Sequence, residues 1–177
     1  MATLKQTIMS REQIAISFDE IEKALRPHGV VSNFVLLDDL SDNPSTHDLF
    51  KGKPSVCILG TVHSHNHSTK FNHWVSILRK GNEFWFFDSL GNTIEQLTIK
   101  LANGKKSLVN WKRNNRVKEN TTKLQKVDLH INTCGLYQIV RLIRSDLNNQ
   151  QFVKWLKHSF FDPDLSVSML CYLDLLK

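Results

Sequence analysis

Cys134, His73 and Asp88 are the residues of this sequence whose types and spacing could form a nucleophilic site. A cysteine thiolate is a strong nucleophile, but it needs a base and a third group that orients the base. Cys134 precedes Gly135 at the predicted start of an amphipathic helix. A thiol there lies at the positive end of the helix dipole, which favours the thiolate. We therefore predict Cys134 as the nucleophile.

Two predicted strands bring the other two candidates together. His73 begins the apolar string HWVSIL, and Asp88 ends the string EFWFFD. The strands, residues 74–79 and 83–88, are joined by residues 80–82, a link of hairpin length that contains Gly and Asn. Cross-strand neighbours have Cβ atoms ~5 Å apart. We therefore expect the Asp88 carboxylate to accept a hydrogen bond from Nδ1 of His73.

Cys57 and Cys171 lie inside apolar periodic segments, and we interpret both as core residues. The odd count of 3 cysteines does not suit a disulfide framework. It favours a protein that works under reducing conditions.

A group of alternating histidines, His63, His65 and His67, offers a competing site. On a strand they would share one face and could bind Zn²⁺ or Cu²⁺. However, the surrounding Ser, Asn and Thr residues are typical of a solvated loop, and no Cys or acid completes the set. We therefore predict no metal site, and we keep His73 as the base because Trp74 and an apolar strand follow it directly.

The composition limits the class of protein. The 177 residues are 41% hydrophobic and 23% charged, which fits one globular domain and argues against disorder or a coiled coil. No apolar run approaches the ~20 residues needed to span a bilayer, so we expect no membrane association. The first residues, MATLKQTIMSREQ, lack a continuous apolar stretch. We therefore expect no signal peptide and no secretion.

The net charge of +6 is concentrated in one segment. Residues 100–126 contain nine basic residues and one acid, a net charge of +8, so the rest of the chain is slightly acidic. Clustered Lys and Arg can contact phosphates, and this predicts a nucleic-acid surface, while a solvated face is the alternative. The candidate contacts are Lys105, Lys106, Lys112, Arg113 and Arg116.

Hydrophobic periodicity and turn residues predict the remaining elements, which together suggest one α+β domain. The periodicity after Cys134 gives the clearest helix, with Leu136, Ile139, Val140 and Ile143 on one face. We further predict helices at 11–26, 93–101, 150–160 and 164–176, strands at 30–37, 55–62, 107–111 and 127–131, a polar loop at 38–48 and a basic loop at 112–126.

The strings NHWVSIL, FFDSLG and TCGLYQIVRL resemble the cysteine proteases of the adenovirus maturation type. This group has relatives in virophages, Polinton-like elements and large DNA viruses, and more distantly among SUMO-deconjugating proteases. The resemblance covers roughly residues 12–170. It implies a papain-like α+β fold in which helices flank a mostly antiparallel central sheet and the nucleophile begins a helix. It also implies one cysteine protease domain over residues 1–177.

The resemblance assigns a role to each residue that matches a motif. Cys134 would be the nucleophile, His73 the general base and later the acid, and Asp88 the group that orients the imidazole. Trp74 would form a wall of the substrate cleft. The adenovirus enzymes have Glu at the position of Asp88, and the change does not disturb the mechanism.

The sequence departs from this group at the residue expected to donate to the oxyanion. The family usually has a glutamine six or seven residues before the cysteine, where this chain has Asp128 and Val127. An ionised carboxylate donates no hydrogen bond. Gln125 is therefore the candidate donor, and Asn132 is a second one.

The resemblance implies an endopeptidase that cuts capsid or core precursor proteins, at Gly-rich sites, during virion maturation. We expect it to act as a monomer in the virion and in the cytoplasm or nucleus of the infected cell. We expect no required cofactor, with viral DNA as a candidate activator. One alternative is a ubiquitin-like-protein deconjugase with the same three residues. The other is a basic nucleic-acid-binding module without enzymatic activity.

Overall fold

The computed structural model describes residues 15–63, 70–101, 105–127, 132–158 and 162–175, which form an α+β fold as predicted. In chain order, the elements of this part are α1 (Phe18–Leu25), β1 (Asn33–Leu36), α2 (Thr46–Phe50), β2 (Ser55–His63), β3 (Lys70–Lys80), β4 (Glu83–Phe87), α3 (Ile94–Leu101), α4 (Ser107–Arg113), β5 (Val117–Glu119), α5 (Cys134–Ile143), α6 (Asn149–Lys157) and α7 (Pro163–Leu175). Short 3₁₀ helices lie at Arg26–His28 and Leu37–Asp39.

The five described strands form one mixed sheet in the order β1-β2-β3-β4-β5. β2, β3 and β4 pair antiparallel, whereas β1 and β5 pair parallel with their neighbours. The prediction of a mostly antiparallel sheet therefore agrees with the three central strands, whereas the two edge strands pair parallel. Parallel neighbours need a crossover connection. Here α2 lies in the chain between β1 and β2, and α3 and α4 lie between β4 and β5.

The hairpin between β3 and β4 is confirmed. Lys80 pairs with Glu83 across a two-residue turn, Gly81-Asn82. Gly81 has φ +59°, a left-handed conformation that glycine adopts without a steric penalty. The turn sets the register of the two strands and thereby the relative positions of His73 and Asp88.

Two hydrophobic clusters occupy the core, and β3 contributes to both. Trp74 and Leu78 belong to a cluster with residues of α1, α5, α6 and α7. Val75 and Ile77 belong to the other, with residues of α2, α3 and α4. Successive side chains of a strand point to opposite faces of the sheet. The sheet therefore separates two helical layers, and α5 packs on the face that carries Trp74.

The helix α1 begins at Phe18, later than predicted, and Ser17 is its N-cap. The Ser17 hydroxyl accepts the Glu20 N–H, and the Glu20 carboxylate accepts the Ser17 N–H, a capping box that fixes the first turn. Residues 15–17 are therefore not helical, and residues 11–14 of the predicted helix lie outside the described residues.

Residues 107–111 were predicted as a strand and instead belong to α4. Leu108 and Trp111 are buried three residues apart, which suits one face of a helix, and Trp111 donates to the Thr46 hydroxyl at 3.2 Å. The predicted loops at 38–48 and 112–126 contain α2 and β5. Val127 is not in a strand, and residues 128–131 lie outside the described part.

The other elements agree with prediction apart from their ends. The predicted strand 30–37 is shortened to Asn33–Leu36, and β3 begins earlier than predicted. The helices α3, α5, α6 and α7 lie where they were predicted, although Pro163 begins α7 rather than separating it from α6. No helix in the described ranges is long and apolar enough to cross a membrane.

Candidate active site

His73 and Asp88 form a buried pair at one end of the β3–β4 hairpin. His73 lies within β3, and Asp88 directly follows β4. The His73 Nε2 lies 2.7 Å from the Asp88 Oδ1. The prediction that Nδ1 would pair with Asp88 is therefore wrong. The last residue pair of the two strands is Ser76 with Phe87. His73 therefore has no directly opposite partner in β4, and the ring nitrogen that lies farther from its backbone, Nε2, reaches the Asp88 carboxylate.

Donors surround both oxygens of the Asp88 carboxylate. Its Oδ1 also accepts the Leu90 N–H at 2.8 Å, and its Oδ2 accepts Nδ2 of Asn92 at 2.7 Å and the Asn92 N–H at 3.3 Å. Burial raises the pKa of Asp88, but the hydrogen bonds from His73 and Asn92 outweigh burial and hold it below its ordinary value. Asp88 is therefore a carboxylate at neutral pH.

Asn92 is a site residue that no motif in the sequence indicated. Lys100 donates to the Asn92 Oδ1 at 2.6 Å, which turns the Asn92 amide nitrogen toward Asp88. The only signal was local, because DSLGN is rich in residues that favour turns. Asn92 and Lys100 thus extend the hydrogen-bonded chain behind Asp88.

Cys134 is the first residue of α5 and interacts with the His73 ring. Burial lowers the pKa of His73, but hydrogen bonds with Asp88 and Cys134 outweigh burial and raise it above its ordinary value of 6.5. Because Nε2 pairs with Asp88, Nδ1 is the nitrogen that remains for the thiol. The imidazole therefore keeps a proton at neutral pH, and this proton can be given to a leaving group.

Gln138 ties the helix of Cys134 to the strand of His73. It is fully buried, one helical turn after Cys134, and its Nε2 donates to the Trp74 carbonyl at 3.0 Å. A Cβ on Gly135 would lie 3.1 Å from the Ile16 Cβ and 3.3 Å from the Trp74 Cδ1, so only glycine fits there without displacing a neighbour. These contacts fix the distance between α5 and β3. Periodicity analysis assigned no role to Gln138.

A pocket of about 340 Å³ opens beside Cys134. Trp74, the predicted wall of the cleft, lines this pocket and packs edge-on against Phe18 with ring centroids 4.8 Å apart. The lining is mainly apolar, with amides at Asn72 and Asn132. Its members are Ala15, Ile16, Ser17, Phe18, Leu59, Asn72, Trp74, Asn132 and Cys134.

Gln125 is buried and held beside the Asp88 turn. The Ser89 hydroxyl donates to its Oε1 at 2.7 Å, and its backbone N–H donates to the Ser89 carbonyl at 2.9 Å. Within the described part of the chain, no hydrogen bond uses its Nε2. Of the two family positions, Val127 carries no side-chain donor and Asp128 lies outside the described residues.

Gly91 lies in the turn after Asp88 and packs closely against the backbone of residues 121–123, which precede Gln125. It has φ +73°, and a Cβ there would lie 2.7 Å from the Lys123 nitrogen and 2.8 Å from the Thr122 carbonyl carbon. We expect Gly91→Ala to lower the free energy of unfolding by about 3 kcal/mol, because it adds a backbone clash to a left-handed conformation. Denaturant unfolding measures this change.

Gly81→Ala is the matched control for this prediction. Gly81 also has a positive φ of +59°, but a Cβ there would meet nothing within 4 Å. We expect Gly81→Ala to lower the free energy of unfolding by only about 1 kcal/mol, because only the strain of the left-handed conformation is added. Equal losses in the two variants would contradict the clash at Gly91.

Within the described residues, three of the nine basic side chains of the segment 100–126 form ion pairs. Lys112 bridges Glu95 at 3.0 Å and Glu119 at 2.7 Å. Other contacts join Lys118 to Glu83, Lys126 to Asp162, Lys105 to the Asp38 carbonyl and Arg113 to the Asn110 amide. Lys106 and Arg116 are exposed. The segment therefore presents less free positive charge than the sequence suggested.

The alternating histidines considered as a competing metal site lie largely outside the described residues. His65 and His67 lie outside the described residues, and His63 is described only as part of β2. Elsewhere in the described ranges, no group of three His, Cys, Asp or Glu side chains could hold a metal ion.

The fold and the site together define an α+β protein with a buried Cys–His–Asp cluster. No protein-family model and no curated protein matches its sequence. Among solved structures, the crystal structure of the ASFV pS273R protease is similar to it, with 13% sequence identity and a TM-score of 0.49. The match covers 91% of this chain and 67% of that chain. At this level of similarity, the likeness assigns neither a family nor an activity to this chain.

Proposed function

We propose that this chain is a cysteine-type endopeptidase. The observation that carries the proposal is the hydrogen-bonded pair of His73 and Asp88 next to Cys134, which is the first residue of a helix and lines a pocket. A nucleophile beside a base that a carboxylate orients is the arrangement that acyl transfer by a thiol requires.

The geometry supports a two-step mechanism. The Cys134 thiolate attacks a peptide carbonyl, and the Nδ1 proton of His73 passes to the departing amine. A water then attacks the thioester while His73 accepts its proton, and the thiol is regenerated. Asp88 keeps Nε2 paired throughout and thereby holds the ring in position.

The oxyanion of each tetrahedral intermediate needs donors. The Cys134 N–H is in the first turn of α5, where backbone N–H groups have no partner within the helix. We propose that Nε2 of Gln125 is the side-chain donor, because Ser89 holds Oε1 of Gln125 and leaves Nε2 available. Asn132 lines the pocket beside Cys134 and is the second candidate.

The resemblance of the three motifs supports a narrower proposal. We infer that the substrates are capsid or core precursor proteins and that cleavage belongs to the maturation of a virus particle. The lining of Ile16, Phe18 and Trp74 offers an apolar wall to a substrate chain. Incubation with candidate precursor proteins, followed by mass analysis of the products, identifies the cleaved bonds.

Selective alkylation tests the nucleophile. We expect iodoacetamide to label Cys134 first and to abolish peptide hydrolysis in parallel. Burial raises the pKa of Cys57 to about 12, and Cys171 is buried with its thiol toward the Leu136 carbonyl. Mass spectrometry of tryptic peptides gives the labelling rate at each cysteine. Equal labelling of all three, or full hydrolysis after complete labelling of Cys134, would refute the proposal.

The alternative functions have less support. A nucleic-acid-binding module, or activation by DNA, needs free positive charge, but the ion pairs of Lys112, Lys118 and Lys126 reduce it. A ubiquitin-like-protein deconjugase would use the same three residues, and no described contact favours that substrate. Parallel assays on ubiquitin-like conjugates and on precursor proteins separate the two peptidase activities.

A further inference from the structure

Asp164 is a buried carboxylate that joins two segments of the site. It lies in the first turn of α7 with only 1% of its surface exposed. Its Oδ1 accepts the Thr133 hydroxyl at 2.6 Å, and its Oδ2 accepts the Lys126 N–H at 3.0 Å. Two donors from different parts of the chain therefore meet on one side chain.

Both partners of Asp164 are direct neighbours of site residues. Thr133 is the residue before Cys134 and occupies the N-cap position of α5 without a side-chain capping hydrogen bond, and Lys126 follows Gln125. Gln125 is held from its other side by Ser89, the residue after Asp88. The nucleophile and the candidate oxyanion donor are thus connected through Asp164.

We propose that Asp164 is a positioning residue that holds the Gln125 segment against the first turn of α5 and so assembles the oxyanion hole. The proposal rests on the proposed peptidase function. Asp164 acts through Lys126 and Thr133, and it is not itself a catalytic residue.

The chemistry of the contact requires a carboxylate. Burial raises the pKa of Asp164 above its ordinary value, although the hydrogen bonds from Thr133 and Lys126 partly offset this. A buried charge is costly to retain, so a neutral or apolar residue would suit packing alone better. The two donors face different oxygens of Asp164, so the amide nitrogen of an asparagine would face one of them. An ionised aspartate accepts the hydroxyl and the amide together, one on each oxygen.

A positioning role predicts that loss of Asp164 slows peptide hydrolysis more than thiol alkylation, whereas a purely structural role predicts no such difference. Peptide hydrolysis passes through an oxyanion, whereas alkylation of a thiol by iodoacetamide is a displacement that forms none. Alkylation depends on Cys134 and His73, which Asp164 does not contact. Loss of Asp164 should therefore slow hydrolysis and leave the alkylation rate unchanged.

The central variant is Asp164→Asn. We expect it to lower kcat for peptide hydrolysis by about 10- to 100-fold, while the alkylation rate of Cys134 stays within about twofold of wild type. Gln125→Ala should have a similar effect. The double variant should be no slower than the slower single variant, because both changes remove the same donor.

Matched variants at Thr133 and Asp162 complete the test. Thr133→Val removes the hydroxyl with little change of shape and should lower kcat, whereas Thr133→Ser keeps the hydroxyl and should keep kcat near the wild-type value.

Asp162→Asn is the control for charge, because Asp162 is exposed and pairs with the Lys126 ammonium at 3.3 Å. We expect Asp162→Asn to leave kcat unchanged. Unfolding midpoints show that each variant is folded.

Three results would overturn the proposal. Asp164→Asn could retain the wild-type kcat, its alkylation rate could fall in parallel with kcat, or the effects of Asp164→Asn and Gln125→Ala could multiply. A wild-type protein with no peptidase activity would overturn the proposed function and this assignment with it. An active wild-type protein with an equally active Asp164→Asn variant overturns this assignment alone.

Discussion

The Cys134→Ala variant is expected to cleave no peptide at a measurable rate while keeping its fold. Removal of a nucleophile that acts with its base as a unit lowers kcat by about 10⁶-fold. The thiol is the only group of the cluster that can form the acyl-enzyme, so no neighbour replaces it. Cleavage of a fluorogenic peptide measures the loss, and denaturant unfolding measures stability.

Stability should change little in this variant. Cys134 is 6% exposed, and the substitution removes one sulfur atom beside the pocket. We expect the free energy of unfolding to stay within about 1–2 kcal/mol of wild type.

The other two cysteines provide matched controls. Cys57→Ala and Cys171→Ala remove the same atom from buried positions away from His73. Both variants should retain most of the activity and lose about 1 kcal/mol of stability through the small cavity. Cleavage by Cys134→Ala, or loss of activity in both controls without unfolding, would contradict the assignment of the nucleophile.

The second large effect is expected for Asp88→Asn. Each Asp88 oxygen accepts a hydrogen bond from a backbone N–H, at Leu90 and at Asn92. An asparagine amide nitrogen therefore faces a donor in either orientation, and one contact becomes repulsive. The imidazole of His73 also loses its charged partner, and we expect kcat to fall by about 10³- to 10⁴-fold.

The cost in stability should depend on pH. The pKa of His73 is raised in the folded protein, so its contribution is complete below the ordinary value of 6.5 and is lost as pH rises through the raised value. The pKa of Asp88 is lowered, so its contribution is complete above the ordinary value of 3.8 and is lost as pH falls through the lowered value. The variant should therefore differ most from wild type between pH 3.8 and 6.5.

Urea unfolding of wild type and Asp88→Asn at about pH 5 and about pH 10 measures this dependence. We expect the difference in unfolding free energy to be larger at the lower pH. The exposed residue Asp39 gives the control Asp39→Asn, which should show no such dependence. A difference that is constant with pH would contradict the His73–Asp88 ion pair.

Local patterns predicted the elements that carry the three site residues. The apolar stripe after Cys134, and the two apolar runs joined by residues 80–82, identified α5, β3 and β4. Such periodicity is local, because it reflects the burial of one face of one element. Prediction failed at a short segment, α4, where the apolar residues of 107–111 suggested a strand although Leu108 and Trp111 have the spacing of one helix face.

The sequence by itself determined which residue types could do chemistry and on which elements they lie. The tertiary structure decided which polar groups meet. Gln138 against the Trp74 carbonyl, and Asp164 between Thr133 and Lys126, follow no spacing in the chain. The physical reason is that a buried polar group must find its partner wherever packing brings one. Asp164 finds both of its partners on segments far from it in sequence.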